Sequence, residues 1–231
     1  MRSIKIFPSQ ITRREMILGA VIAIIHCIAA PLALFFVSVP FDTGTVNLIY
    51  YCVSFVLVLA LLGRYLKREF YSLTEHIFRT IFGMLIGYLA MSILSNAVLL
   101  IEMSAFESEL TNPNNDAVAE LAKLDSRSVA AASILLAPVV EETIFRGVIF
   151  GGLRKRSRAL AYIGSFAAFA VYHIWQYAVV DFSPRLIFVT LEYLPASIGL
   201  AIAYEKSDNL WCPIFLHSVV NLISINYYIN L

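Results

Sequence analysis

The chain has 231 residues, of which 60% are hydrophobic and 14% charged, with a formal net charge of +1. A soluble domain carries about 25% charged residues, and charges this sparse cannot cover the surface of a soluble protein of this length. Composition thus excludes a soluble globular domain, a disordered tail and a small disulfide scaffold; the balanced charge offers no field to nucleic acid, and an all-α polytopic transmembrane helical bundle is expected.

A bilayer core takes about 20 apolar residues as a helix. Seven stretches qualify, at about 16–39, 46–63, 79–101, 129–152, 159–180, 186–204 and 210–230. The first is too long for a signal-peptide core and reads as a retained span. His26 within it has no polar neighbour at helical spacing and reads as a core residue. Arg2, Lys5, Arg13 and Arg14 precede this span. Arg64, Lys67, Arg68 and Arg79 separate spans two and three, and Arg154, Lys155, Arg156 and Arg158 separate spans four and five. By the positive-inside rule the N-terminus is cytoplasmic and, with seven spans, the C-terminus lies outside. The expected location is a bacterial plasma (inner) membrane. No lipidation signal is expected at the C-terminus.

The connection 102–128 holds Glu102, Glu107, Glu109, Asp116, Glu120 and Asp125 against Lys123 and Arg127, and reads as an outer acidic loop. Its Asn112-Pro113-Asn114-Asn115 run predicts a turn. Gly83 with Gly87, and Gly147 with Gly151, predict close helix packing inside the chain. Cys27, Cys52 and Cys212 read as buried small hydrophobes, His76 as solvated, and Trp211, Tyr227 and Tyr228 as interface anchors. One membrane domain, 1–231, is expected. In it 1–128 forms three N-terminal spans plus the acidic loop, and 129–231 forms a four-helix core.

A charged residue at mid-bilayer costs about 2.5–3.5 kcal/mol, yet span four contains Glu141, Glu142 and Arg146. Glu142 and Arg146 are four apart, share a helix face and can pair. Their plain role is a structural ion pair that fixes helix packing. Glu141 points about 100° away, so it is left without a local partner and suits proton transfer. Span five places Phe169 and His173 one turn apart; span seven does the same with His217 and Asn221. His173 alone could be a satisfied core histidine, and the His217–Asn221 face could share a structural water or a reacting oxygen. Together these groups suit hydrolysis. A carboxylate and an imidazole can deprotonate a water, while an imidazole and an amide can donate to an oxyanion. Glu192 precedes Pro195 and Gly199, where span six is expected to bend; it either lines the same cavity or packs near the outer surface.

At 1.5 Å per residue, Glu141 and Glu142 lie roughly 18 Å and His217 roughly 10 Å from the inner ends of their spans, with His173 deeper still. Straight helices would not bring them level. Span five is therefore expected to begin later or to tilt, so that the groups meet in a water-filled cavity open to the inner side.

Glu141-Glu142-x-x-x-Arg146, Phe169-x-x-x-His173 and His217-x-x-x-Asn221, in this order and each in an apolar span, resemble the three motifs of the CPBP family. These are the CAAX-processing and bacteriocin-processing (Abi) intramembrane endopeptidases. Glu-Glu-Thr-Ile-Phe-Arg-Gly and Leu210-Trp211-Cys212-Pro213 fit as well. The resemblance covers about 129–225. It implies a glutamate-dependent, metal-independent protease without a cofactor. Glu141 would activate water with help from His173, and His217 with Asn221 would form the oxyanion site. Glu142 and Arg146 would support the site, and Phe169 would shape the wall beside His173. The expected partners are the bilayer and a membrane-associated peptide or protein substrate. Competing classes are a proton-coupled transporter, a catalytically silent scaffold or immunity protein, and a zinc hydrolase.

Overall fold

The computed structural model describes residues 10–106 and 110–230; Arg2, Lys5, Glu107 and Glu109 lie outside the described residues. Among the described residues, seven helices are long and apolar enough to cross a membrane. They are α1 (Arg13–Phe36), α2 (Thr43–Glu75), α3 (Ile77–Ala105), α5 (Ser126–Arg154), α6 (Arg158–Val180), α7 (Arg185–Ser207) and α8 (Trp211–Asn230). The eighth helix, α4 (Pro113–Leu124), sits between α3 and α5. The polytopic helical bundle read from composition is the observed fold.

Short polar residues start the helices by accepting from otherwise unpaired first-turn N–H groups. Thr12 and Glu15 form a reciprocal capping box on α1. Asp42, Asp125 and Ser157 cap α2, α5 and α6. Asn112 accepts from the N–H groups of Asn114 and Asn115, with Pro113 in the first turn. The Asn112–Asn115 run is therefore the start of a helix and not a free turn. Proline suits that position because its missing N–H would be unpaired there anyway.

The most apolar window of α5 is 61% buried inside the protein, against 17% for α2 and α3. Helix α5 is thus the axis of the bundle, and the outer helices turn Leu, Ile, Val and Phe outward, as a lipid-facing surface requires. Helices α3 and α7 approach backbone to backbone. A methyl built on Gly87 would lie 2.7 Å from the Gly199 carbonyl, and one on Gly199 the same distance from the Gly87 carbonyl. Gly83 faces Ala203 and Cys212, while Gly147 faces the ring of Tyr65. Close packing within the chain is what the glycine spacing predicted. Of the cysteines Cys212 is buried and Cys27 partly so, whereas Cys52 is exposed, contrary to expectation.

The basic residues read as loop markers sit on helix ends and are partly paired. Arg68 meets Glu15, Arg79 meets Asp208, and Glu205 takes both Arg154 and Arg158. The turn into α8 is sunk between helices. Asp208 adopts a left-handed conformation (φ 55°) that ends α7. Asn209 donates to Thr80 at 2.8 Å, and the Leu210 N–H donates to the buried Glu69 carboxylate at 2.7 Å. Glu69 lies about 9 Å in from the end of α2 at 1.5 Å per residue. Trp211 donates to the Leu66 carbonyl at 3.0 Å and is half-buried, so it is a packing residue here and not a free interface anchor.

Candidate functional site

Span α5 leaves α-helical geometry twice, at Ala131–Leu136 and Thr143–Phe150, where it winds as π-helix. The regular stretch Ala137–Glu142 between them carries both carboxylates. Such π segments recur at functional sites because they re-aim side chains within one helix.

Glu142 and Arg146 are both fully buried, and Arg146 Nη1 donates to Glu142 Oε1 at 2.8 Å. Arg146 Nη2 donates to the Ser197 carbonyl at 3.2 Å, and the guanidinium lies 4.7 Å from the ring centre of Phe169. The same Glu142 oxygen stands 2.8 Å from His217 Nδ1. A carboxylate oxygen accepts, so His217 Nδ1 is the donor and the ring's Nε2 points onward. That Nε2 lies 3.9 Å from Glu141 Oε2. The Tyr51 hydroxyl donates to the other oxygen of Glu141 at 2.9 Å. Oε2 of Glu141 is buried with no hydrogen-bond partner among the described residues.

His173 Nδ1 donates to the Phe169 carbonyl at 2.8 Å, leaving Nε2 as the acceptor of the neutral ring. Its ring stacks on Tyr193 with centres 4.7 Å apart. Asn221 donates one amide N–H to the Ser133 carbonyl at 2.7 Å. His217 and Asn221 thus share a helix face but hold different partners, one on α5's carboxylate and one on its backbone.

These side chains meet at a cavity of about 690 Å³ lined by Glu141, Phe169, His173, Glu192, His217 and Asn221, among others. Glu142 and Arg146 stand behind its wall. Glu192 accepts from Asn112 at 2.8 Å, and Asn112 accepts from the Tyr193 hydroxyl at 3.0 Å, which ties the start of α4 to the cavity rim.

Helix α6 begins at Arg158, no later than the sequence suggested. The turn before α8 is sunk against Glu69 and Thr80, so His217 starts from a deeper level than a turn at the surface would give it. The cavity also does not open toward the basic loops. Its lining comes from the end of α1 (Leu34, Phe35), the start of α2 (Thr43, Asn47) and helix α4, all at the opposite end of the bundle.

Sequence reasoning missed Tyr51, Tyr172, Tyr193 and His26 as neighbours of the site. His26 is a buried residue as expected, but not an isolated one: it lies 2.8 Å from Ser54 Oγ and 3.0 Å from the Tyr172 hydroxyl. The Tyr50-Tyr51 pair at the head of an apolar span was the available signal. Among the described residues, no three or more His, Cys, Asp or Glu side chains are grouped to hold a metal ion.

Fold and site together define a polytopic membrane protein with a polar, acid- and imidazole-lined cavity inside its bundle. Residues 124–223 match the model of a family described as Rce1-like, type II CAAX prenyl endopeptidase. The match agrees with the motif resemblance over the same part of the chain. It runs from the end of α4 into α8 and contains Glu141, His173, His217 and Asn221, but not His26 or Tyr51. Comparison with the curated proteins and with the solved structures gave no significant match.

Proposed function

We propose that this chain is an intramembrane endopeptidase that hydrolyses a peptide bond in a membrane-associated protein or peptide, with Glu141 as the base that activates water. The observation that carries this reading is the state of Glu141. One oxygen is held by Tyr51; the other is buried, has no hydrogen-bond partner among the described residues and lies 3.9 Å from His217 Nε2. An oxygen atom placed about 2.8 Å from each of these two atoms fits the gap at ordinary hydrogen-bond length.

In this mechanism Glu141 Oε2 takes a proton from water, the bare Nε2 of His173 helps to hold that water, and the hydroxide adds to the scissile carbonyl carbon. His217 Nε2–H and the second amide N–H of Asn221 donate to the oxyanion. The proton on Glu141 then passes to the leaving nitrogen as the C–N bond breaks. Phe169 holds the wall between Arg146 and His173. Residues 129–231 would hold the reacting groups of a single membrane domain spanning 1–231. By the positive-inside rule the N-terminus is cytoplasmic, and the cavity opens on the outer side.

The test is cleavage of a quenched-fluorescent prenylated CAAX peptide by purified protein in lipid vesicles. Comparative proteomics of membranes from cells carrying wild-type protein or Glu141→Gln finds other substrates. Removing a general base lowers the rate about 10²–10⁴-fold, so new peptide ends should vanish in Glu141→Gln. Cleavage at the wild-type rate by that variant would refute the reading.

A further inference from the structure

A chain of hydrogen bonds reaches Glu141 from helices largely outside the matched segment. Ser54 Oγ lies 2.8 Å from His26 Nδ1, and His26 Nε2 lies 3.0 Å from the Tyr172 hydroxyl. The Tyr172 hydroxyl lies 3.1 Å from that of Tyr51, which donates to Glu141 Oε1 at 2.9 Å. His26 and Ser54 are 1% and 5% exposed. His26 sits in a π-helical stretch of α1 (Ile25–Ala29), Tyr51 and Ser54 share one face of α2, and Tyr172 precedes His173 on α6.

Counting protons fixes the direction of the chain. A hydroxyl has one proton to give, a neutral imidazole one N–H, and a carboxylate none. The Tyr51 proton points at Glu141, so the Tyr51 oxygen is left to accept from Tyr172. The Tyr172 oxygen must then accept from His26 Nε2–H, and the bare Nδ1 of His26 accepts from Ser54. If instead Tyr172 donated to His26, the Tyr51 and Tyr172 oxygens would face each other with no proton between them. All four contacts are satisfied in one direction only, with every donor aimed toward an ionised Glu141. Chains of this kind polarise one another.

We infer that Tyr51, Tyr172 and His26 are positioning residues that clamp Oε1 of Glu141 and turn Oε2 to the cavity. This rests on Glu141 being the water-activating base. The first two spans then belong to the working site and are more than its membrane anchor.

Tyr51→Phe keeps the ring and deletes the proton. A hydrogen bond to a charged group is worth about a ten- to hundredfold effect, so kcat on the prenylated CAAX peptide should fall by that factor with KM unchanged. His26→Leu should also lower kcat, and His26→Gln, whose amide N–H can stand in for Nε2–H, should restore most of it. Independently of turnover, ¹⁵N spectra of histidine-labelled wild-type protein should show His26 protonated on Nε2 and bare on Nδ1. A Tyr51→Phe variant with wild-type kcat, or a His26 proton on Nδ1, overturns the inference. If Tyr51→Phe does not fold, the His26 tautomer decides alone. Activity in Glu141→Gln would remove the base assignment beneath it, whereas an inactive Glu141→Gln beside a fully active Tyr51→Phe removes only the relay.

Discussion

Replacing Arg146 by methionine tests the electrostatic logic of the bundle's axis. Arg146 is fully buried, gives one bond to Glu142 and one to the Ser197 carbonyl, and covers the face of Phe169. Removing one partner of a buried ion pair costs about 3–5 kcal/mol because the other charge is stranded. Glu142 keeps His217 on the same oxygen, however. The lower end, about 3 kcal/mol, is therefore expected for Arg146→Met. At about 2–4 °C per kcal/mol for a chain of this size, thermal unfolding followed by circular dichroism in a fixed detergent should shift down by about 6–12 °C. Removing both charges, in Arg146→Met with Glu142→Gln, strands nothing and should recover most of that loss. A shift below about 4 °C in the single variant, or a double variant less stable than the single, would refute the reasoning.

Other perturbations probe the packing and the rim. Gly199→Ala must force α3 and α7 apart and should cost about 1–3 kcal/mol; Gly63→Ala, with open space at its Cβ, should be neutral or stabilising in the same unfolding assay. Glu69→Leu strands the Leu210 N–H and should cost about 1–3 kcal/mol, with Glu69→Gln retaining most stability because it keeps an acceptor. Asn112→Ala deletes the cap of α4 and its ties to Glu192 and Tyr193. Faster amide exchange across Pro113–Leu124 is expected, from the loss of about 1 kcal/mol of helix capping.

What the sequence made legible was what lies within one helix. The Glu142–Arg146 pair is four residues apart, so spacing alone found it, and the same rule left Glu141 for another partner. The spans themselves follow from apolar run length. Contacts between helices were not legible. His26 lies 28 residues from Ser54 and 146 from Tyr172 in the chain, and no periodicity within α1 points to either. The depth of His217 is not legible either: a turn rich in charge reads as lying at the membrane surface, whereas Glu69 and Thr80 draw 209–210 inward. The Asn-Pro-Asn-Asn run has the chemistry of a turn and of a helix start alike. The acceptor on Asn112 and the proline that follows it decided for the helix.

The contact of α3 with α7 bears on how a lipid-borne chain could reach the cavity. Backbones that meet carbonyl to glycine leave no seam for an acyl chain or a peptide to slip between, and parting them would break a backbone-to-backbone contact on both helices. These two spans therefore behave as one wall, on which Met91 and Leu200 face the cavity. Lateral admission falls to the side where Leu34 and Phe35 of α1 line the opening, which makes the far end of the first span the natural threshold for a substrate arriving from the bilayer.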